Sequence, residues 1–104
     1  MTTESPYFVL MNPFVIEETA VDNFLDRWKL VADYLSQQPG FIETELHRGL
    51  SDQKHWFNYA KWTSIEDFQL AISTPEFKRL TDNFPGEGQP RLYSVQVKIS
   101  PSKN

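Results

Sequence analysis

Hydrophobic and polar positions change their spacing several times along this chain, and each change marks an element. From Tyr7 to Asn12 the run Tyr-Phe-Val-Leu-Met-Asn is apolar on both alternating faces, which predicts a strand covered on two sides and stopped by Pro13. After the acidic Glu17-Glu18, apolar residues recur at helical intervals: Val21, Phe24, Leu25, Trp28, Val31, Ala32 and Leu35. Asp22, Asp26, Arg27, Lys29 and Asp33 take the opposite side, so an amphipathic helix is expected, N-capped by Thr19 and carrying carboxylates in its first turn. Pro39-Gly40 closes it.

Phe41 to Arg48 alternates as a strand with Glu43, Glu45 and His47 on one side, and Gly49 to Lys54 is a connection of hairpin length. His55 to Trp62 is dense in aromatics on both faces, the mark of a central strand. Ser64, with Asp67 three residues on, is placed to cap a second helix carrying Ile65, Phe68, Leu70, Ala71 and Ile72. Pro75 interrupts it, and a shorter helical piece with Phe77 and Leu80 runs towards the Pro/Gly-rich loop from Pro85 to Pro90. Tyr93, Val95, Val97 and Ile99 then alternate with polar residues, a last strand with one dry face before a polar tail ending at Asn104.

The order is β-α-β-β-α-β, an α+β, ferredoxin-like arrangement of one four-stranded antiparallel sheet with its helices on one face. It accounts for residues 1–104 as a single domain with a core from about 7 to 100, consistent with a length that supports one core. The helices leave the other sheet face bare and rich in large apolar groups. Water does not suit so large a patch, and a homodimer closed through that face is the expected remedy.

Composition narrows the function. A net charge of −4, a pI near 5.0 and no basic run longer than Lys78-Arg79 remove the electrostatic footprint of nucleic-acid or anionic-membrane binding. The chain has no Cys, so neither disulfides nor a thiolate metal site are available, which fits a cytoplasmic protein. The polar start Met1 to Pro6 lacks the basic and apolar regions of a signal peptide, and no stretch reaches the roughly 20 apolar residues of a membrane span.

Three spaced motifs are more specific: Gln38-Pro39-Gly40-Phe41; Asn58-Tyr59-Ala60-Lys61-Trp62-Thr63-Ser64 followed by Glu66-Asp67-Phe68; and Ser73-Thr74-Pro75-Glu76-Phe77. Together they resemble the antibiotic-biosynthesis monooxygenase family, from about Phe8 to Ile99. The resemblance implies a dimeric α+β barrel with a pocket in each subunit between sheet and helices. It also implies one of two chemistries: oxidation of polycyclic phenols to quinones by O2 without cofactor or metal, or binding and opening of haem.

Within the alternation, Trp56, Asn58, Ala60 and Trp62 share one face of their strand, and Asn12 shares a face with Phe8, Leu10 and Phe14. Cofactor-free oxygenation needs a flat ring held in a dry pocket, with N–H donors against the oxyanion of the ionised substrate. Asn58 and Trp62 are therefore the candidate catalytic residues, with His47 beside them, because all three stand where quinone-forming members have a matching Asn, Trp and His. Asn12, Trp56 and Phe68 are candidate substrate contacts. Phe68 stands where those members have a Tyr, so the ring is kept and the proton-relaying hydroxyl is lost. Asn12 and Trp62 also fit the haem-opening pattern, but Thr81 lies near the position of the iron-ligating His.

Plainer roles remain open for each residue. Asn58 also suits a buried amide satisfying backbone groups, Trp56 and Trp62 suit plain packing, and Asn12 suits a strand-end cap. His47, with Glu43, Glu45 and, across the hairpin, His55, has the residue types of a metal site and equally those of a solvated strand face. A non-catalytic dimeric module binding a small hydrophobic molecule is the third functional class, favoured by Phe68 and Thr81.

Overall fold

The computed structural model describes residues 7–101; the polar ends read in the sequence, 1–6 and 102–104, lie outside them. Strand β1 (Phe8–Val15) leads through a single 3-10 turn (Glu18–Ala20) into helix α1 (Val21–Ser36). Strands β2 (Phe41–Arg48) and β3 (His55–Trp62) follow as a hairpin, then helices α2 (Ile65–Ile72) and α3 (Pro75–Thr81), then strand β4 (Arg91–Ser94). The sheet order is β2-β3-β1-β4 with every neighbour antiparallel, so the fold is the ferredoxin-like α+β arrangement expected from the pattern. β3 lies centrally, which explains why it is apolar on both faces.

Three local expectations need correction. Pro13 does not stop β1, which runs on to Val15 opposite His55. β4 pairs only as far as Met11, so beyond that point β1 is an edge, where a residue without an N–H is tolerated. Thr19 does not cap α1: it sits inside the 3-10 turn, and Ala20 takes the cap position without a side-chain hydrogen bond. The last strand stops at Ser94 instead of running to Ile99, and it has no dry face within one chain, since Val97 is 76% and Ile99 87% exposed.

Other signals act as their chemistry requires. Ser64 accepts the Asp67 N–H at 3.1 Å and starts α2. Pro75 opens a new helix, occupying the first turn of α3 while Thr74 Oγ1 accepts the Phe77 N–H at 3.0 Å. Gly40, at φ +86°, turns the chain from α1 into β2 in a conformation that side chains with a Cβ rarely adopt.

Most buried residues form two clusters on the helix-facing side of the sheet, while Val9 is buried on the other face. Phe14, Ile16, Val21, Phe24 and Trp56 make one, with Phe24 edge-on to both Phe14 (5.2 Å) and Trp56 (5.4 Å). Phe8, Leu10, Ala60, Trp62 and Ala71 make the other. Each large side chain so buried contributes about 1.5–3 kcal/mol. Polar ties then set the helices: the Tyr34 hydroxyl donates to the Ala71 carbonyl at 2.9 Å, and the Arg27 guanidinium reaches the Leu80 and Asp82 carbonyls at 3.0 and 2.6 Å.

The opposite sheet face is divided. Its β1, β3 and β4 portion presents Met11, Val15, Phe57, Tyr59 and Tyr93, whereas its β2 portion presents Glu43, Glu45 and His47. Lys61 stands between them, 3.5 Å from Glu43 and over the Tyr7 ring. Desolvation works to lower its pKa, but Tyr59, Tyr7 and Glu43 together outweigh that and hold it above the ordinary lysine value. No helix among the described residues is long and apolar enough to cross a membrane.

Candidate functional site

The two clusters do not fill the space between sheet and helices. A cavity of about 350 Å³ lies there, floored by Leu10, Asn12 and Phe14 of β1, Phe41 and Thr44 of β2, and Asn58, Ala60 and Trp62 of β3. α1 walls it with Trp28, Val31, Ala32 and Leu35, α2 with Phe68 and Ile72, and α3 with Phe77 and Thr81. The segment after α3 closes the remaining side through Phe84, Gly86, Gly88 and Pro90. This lining is apolar with a few placed polar groups, the make-up of a small-molecule site, and its size is at the lower end of the usual range.

Strand register places the polar groups. Asn12 and Asn58 are direct cross-strand partners, so their side chains rise side by side from the cavity floor. Thr44 Oγ1 lies 2.9 Å from Asn58 Oδ1. The Asn12 amide oxygen is buried with no hydrogen-bond partner among the described residues, a costly arrangement for an acceptor unless a ligand or water completes it. Trp62 is 1% exposed and braced edge-on by Phe41 and Phe68, each 5.3 Å away, which fixes the indole at the cavity wall.

The closing segment depends on glycine. A Cβ on Gly88 would meet the Asn12 amide, 2.8 Å from Nδ2, so only a residue without one lets the backbone lie against that side chain. Gly86, at φ +85°, makes the turn that brings it there and would clash with Ile16 if it carried a side chain.

Not every residue singled out in the sequence joins this group. Asn12, Asn58, Trp62 and Phe68 line the cavity. His47 stands on the other sheet face, exposed, with its Nε2 3.0 Å from Glu45 Oε1. The alternation accounts for this, since Thr44, not His47, takes the inward parity of β2. Trp56 points to the helix side but belongs to the packed cluster around Phe24, with the Arg48 guanidinium 4.6 Å above its ring and its indole N–H buried without a partner among the described residues. His55 pairs with Asp52 at 3.3 Å, and no group of three or more metal-ligating side chains occurs among the described residues.

A family model for antibiotic biosynthesis monooxygenases matches residues 7–82. The chain belongs to this family. Among solved structures, the cofactor-independent oxygenase SnoaB from Streptomyces nogalater is similar over 92% of this chain and 99% of its own, with 20% identity and a TM-score of 0.84. A candidate monooxygenase from Shewanella loihica shares 28% identity over 92% of this chain and all of its own, with a TM-score of 0.73. A conserved protein from Methanosarcina mazei, 12% identical, covers 88% of this chain at a TM-score of 0.79. Curated proteins include no match to the sequence. At such identities the structural likenesses establish the fold.

Of the two chemistries that the resemblance implied, haem does not suit the side chains present. Thr81 lines the cavity, but its hydroxyl donates back to the Phe77 carbonyl of its own helix at 2.9 Å. Neither His lines the cavity, so no strong axial ligand is offered there. The residues that sequence reading missed are Thr44, Phe41, Phe77, Gly86 and Gly88, together with Trp28 and Leu35, which belonged to a stripe read as core. Thr44 was accessible in principle, because it opposes Glu43 and Glu45 in the alternation.

Proposed function

We propose that this protein is a cofactor-independent monooxygenase that takes a small flat phenolic or polyphenolic substrate into the cavity and oxidises it with O2 to a quinone. The observation that carries the reading is the pair of placed amides beside an indole, Asn12, Asn58 and Trp62, in an otherwise apolar hollow of about 350 Å³. An ionised phenol, or the enolate of an anthrone-like ketone, passes an electron to O2. The resulting radicals combine, and loss of water from the peroxide leaves a carbonyl. A ring CH2 and O2 thus become C=O and H2O, with all four electrons coming from the substrate. Donors fixed in an apolar cavity stabilise the anion with little reorganisation.

No carboxylate, His, Lys or Tyr lines the cavity, so within this reading the proton leaves to water and not to His47 or Phe68. Activity should therefore follow the substrate's own ionisation. A homodimer closed through the open sheet face completes the proposal: the apolar half of that face and the exposed Val95, Val97 and Ile99 both need a partner, which a second copy supplies. Light scattering at micromolar concentration tests it, a monomer mass being the contrary result.

The test of activity is oxygen consumption with an anthrone in metal-free buffer. Uptake that disappears in Asn58→Ala and falls in Trp62→Phe supports the roles, whereas unchanged rates in both variants remove them. A second reading, ring binding without catalysis, is favoured by the missing base. It predicts saturable binding of the same compound without any uptake of oxygen.

A further inference from the structure

Asn58 serves as a donor in the proposed site only if its amide is turned with nitrogen towards the cavity, and the amide alone has no preference between its two orientations. The Thr44 hydroxyl lies 2.9 Å from Asn58 Oδ1 and also 2.9 Å from the Tyr59 carbonyl oxygen, yet it has one hydrogen to give. If the hydrogen goes to Tyr59, Thr44 can only accept, and Asn58 must turn its nitrogen to Thr44 and its oxygen to the ligand. If it goes to Asn58, the oxygen is held and the nitrogen faces the cavity. Tyr59 lies inside β3, paired with Glu45 of β2 and Met11 of β1, and a carbonyl inside a ladder has backbone N–H groups as its ordinary donors. The Asn58 oxygen has no partner but Thr44 among the described residues. The hydrogen therefore does more where it holds Asn58.

We propose that Thr44 is the positioning residue of this site, its hydroxyl locking the Asn58 amide with the N–H2 group directed into the cavity. The inference rests on the oxygenase reading of the cavity and adds a polarity to it. Asn58 thus presents a donor into the cavity beside its cross-strand partner Asn12. A donor there fits a ligand that turns an ionised oxygen towards Asn58. Thr44 itself need not touch the ligand's reacting atoms.

The experiment is a spectrophotometric pH titration of 4-nitrophenol bound to the wild-type chain, Thr44→Val and Thr44→Ser. Absorbance separates phenol from phenolate. The wild type and Thr44→Ser are expected to bind the phenolate preferentially, with the bound probe ionising about one pH unit lower than in Thr44→Val, on the order of a tenfold change in the equilibrium. A merely structural role would not shift the probe's ionisation or be rescued by Ser. The proposal is overturned if Thr44→Val titrates like the wild type, or if Thr44→Ser behaves like Thr44→Val. If the wild type binds no 4-nitrophenol, the phenol-site reading fails instead, and neutron diffraction of the unliganded protein decides Thr44 alone. Deuterium on the Asn58 nitrogen pointing into the cavity sustains the assignment, and nitrogen against Thr44 refutes it.

Discussion

Trp56 and Trp62 stand on one face of one strand, six residues apart in the sequence numbering, and do different work. Around Trp56 the space is closed: Phe14, Ile16, Val21 and Phe24 pack against it and Arg48 covers its ring. Around Trp62 the neighbours Phe41 and Phe68 brace the indole on two sides and leave a hollow beside it. The difference lies in what faces the strand. Next to Trp56 the first turn of α1 brings Phe24 down onto the sheet. Next to Trp62, α2 is a short helix that stops before Pro75, and the segment after α3 packs at the other end, with Phe84 against Phe14 and Phe24 and Gly86 against Ile16. Both ends are therefore buried core, and the hollow borders Trp62 and not Trp56, although the strand's own pattern is the same at both.

Substitutions can break this comparison. The largest loss of stability is expected at the closed end: Phe24→Ala, at a fully buried ring, should lower the unfolding free energy by about 3–5 kcal/mol in urea titrations. The open end should show the reverse balance. Asn58→Ala should leave the urea midpoint near the wild-type value while reducing the oxygenation rate by roughly a hundredfold or more, as loss of an oxyanion donor does. If both variants lost stability equally, the distinction between core and site would fail.

Smaller changes sharpen it. Trp56→Phe should cost about 1–3 kcal/mol of stability and leave ligand affinity near wild type, because the lost indole N–H has no partner among the described residues. Gly88→Ala should press on the Asn12 amide and cost about 1–3 kcal/mol, seen as weaker ligand binding with little effect at the Trp56 end. The smallest effect concerns acid stability. The hydrogen bond from Arg79 holds the Glu76 carboxyl below its ordinary pKa. A depressed carboxylate stabilises the fold above its unfolded pKa and loses that contribution as pH falls through the folded value. Glu76→Gln should thus reduce stability slightly near neutral pH and converge with the wild type in strongly acidic buffer, measured by thermal melts.

The pH dependence of activity bears on the same contrast. With no titrating side chain in the cavity, the oxygenation rate should rise with pH along the ionisation of the substrate and should be unchanged in form by His47→Ala, since His47 lies on the far face of the sheet. A profile carrying an ionisation that vanishes in that variant would return His47 to the mechanism.

Much of this architecture was legible in the residues themselves. The helical stripe from Val21 to Leu35 and the two-faced apolar run from His55 to Trp62 express local periodicities that few alternatives satisfy, and β2 and β3 have the boundaries that alternation indicates. The Ser64 cap, the Pro75 restart and the Gly40 turn follow from bonding and backbone geometry within a few residues. Those features depend on near neighbours, and near neighbours are what a sequence displays. The end of β1 was misread for the opposite reason: whether Pro13 can stay in a strand depends on whether β4 is beside it, a fact about a segment nearly eighty residues away.

The site shows the same division. Sequence alone determined that Asn58 and Trp62 share one face of their strand and that Asn12 shares a face with Phe8, Leu10 and Phe14, because the period is two. It also determined that the last apolar run, from Val95 to Ile99, would need covering. Only the tertiary structure decided that Asn12 and Asn58 stand opposite each other, that Thr44 reaches Asn58 while His47 is turned away, and that a hollow remains beside Trp62 but not beside Trp56. Parity is a property of a single strand, whereas register and empty volume arise only when several elements meet, and no one of them encodes the space they leave between them.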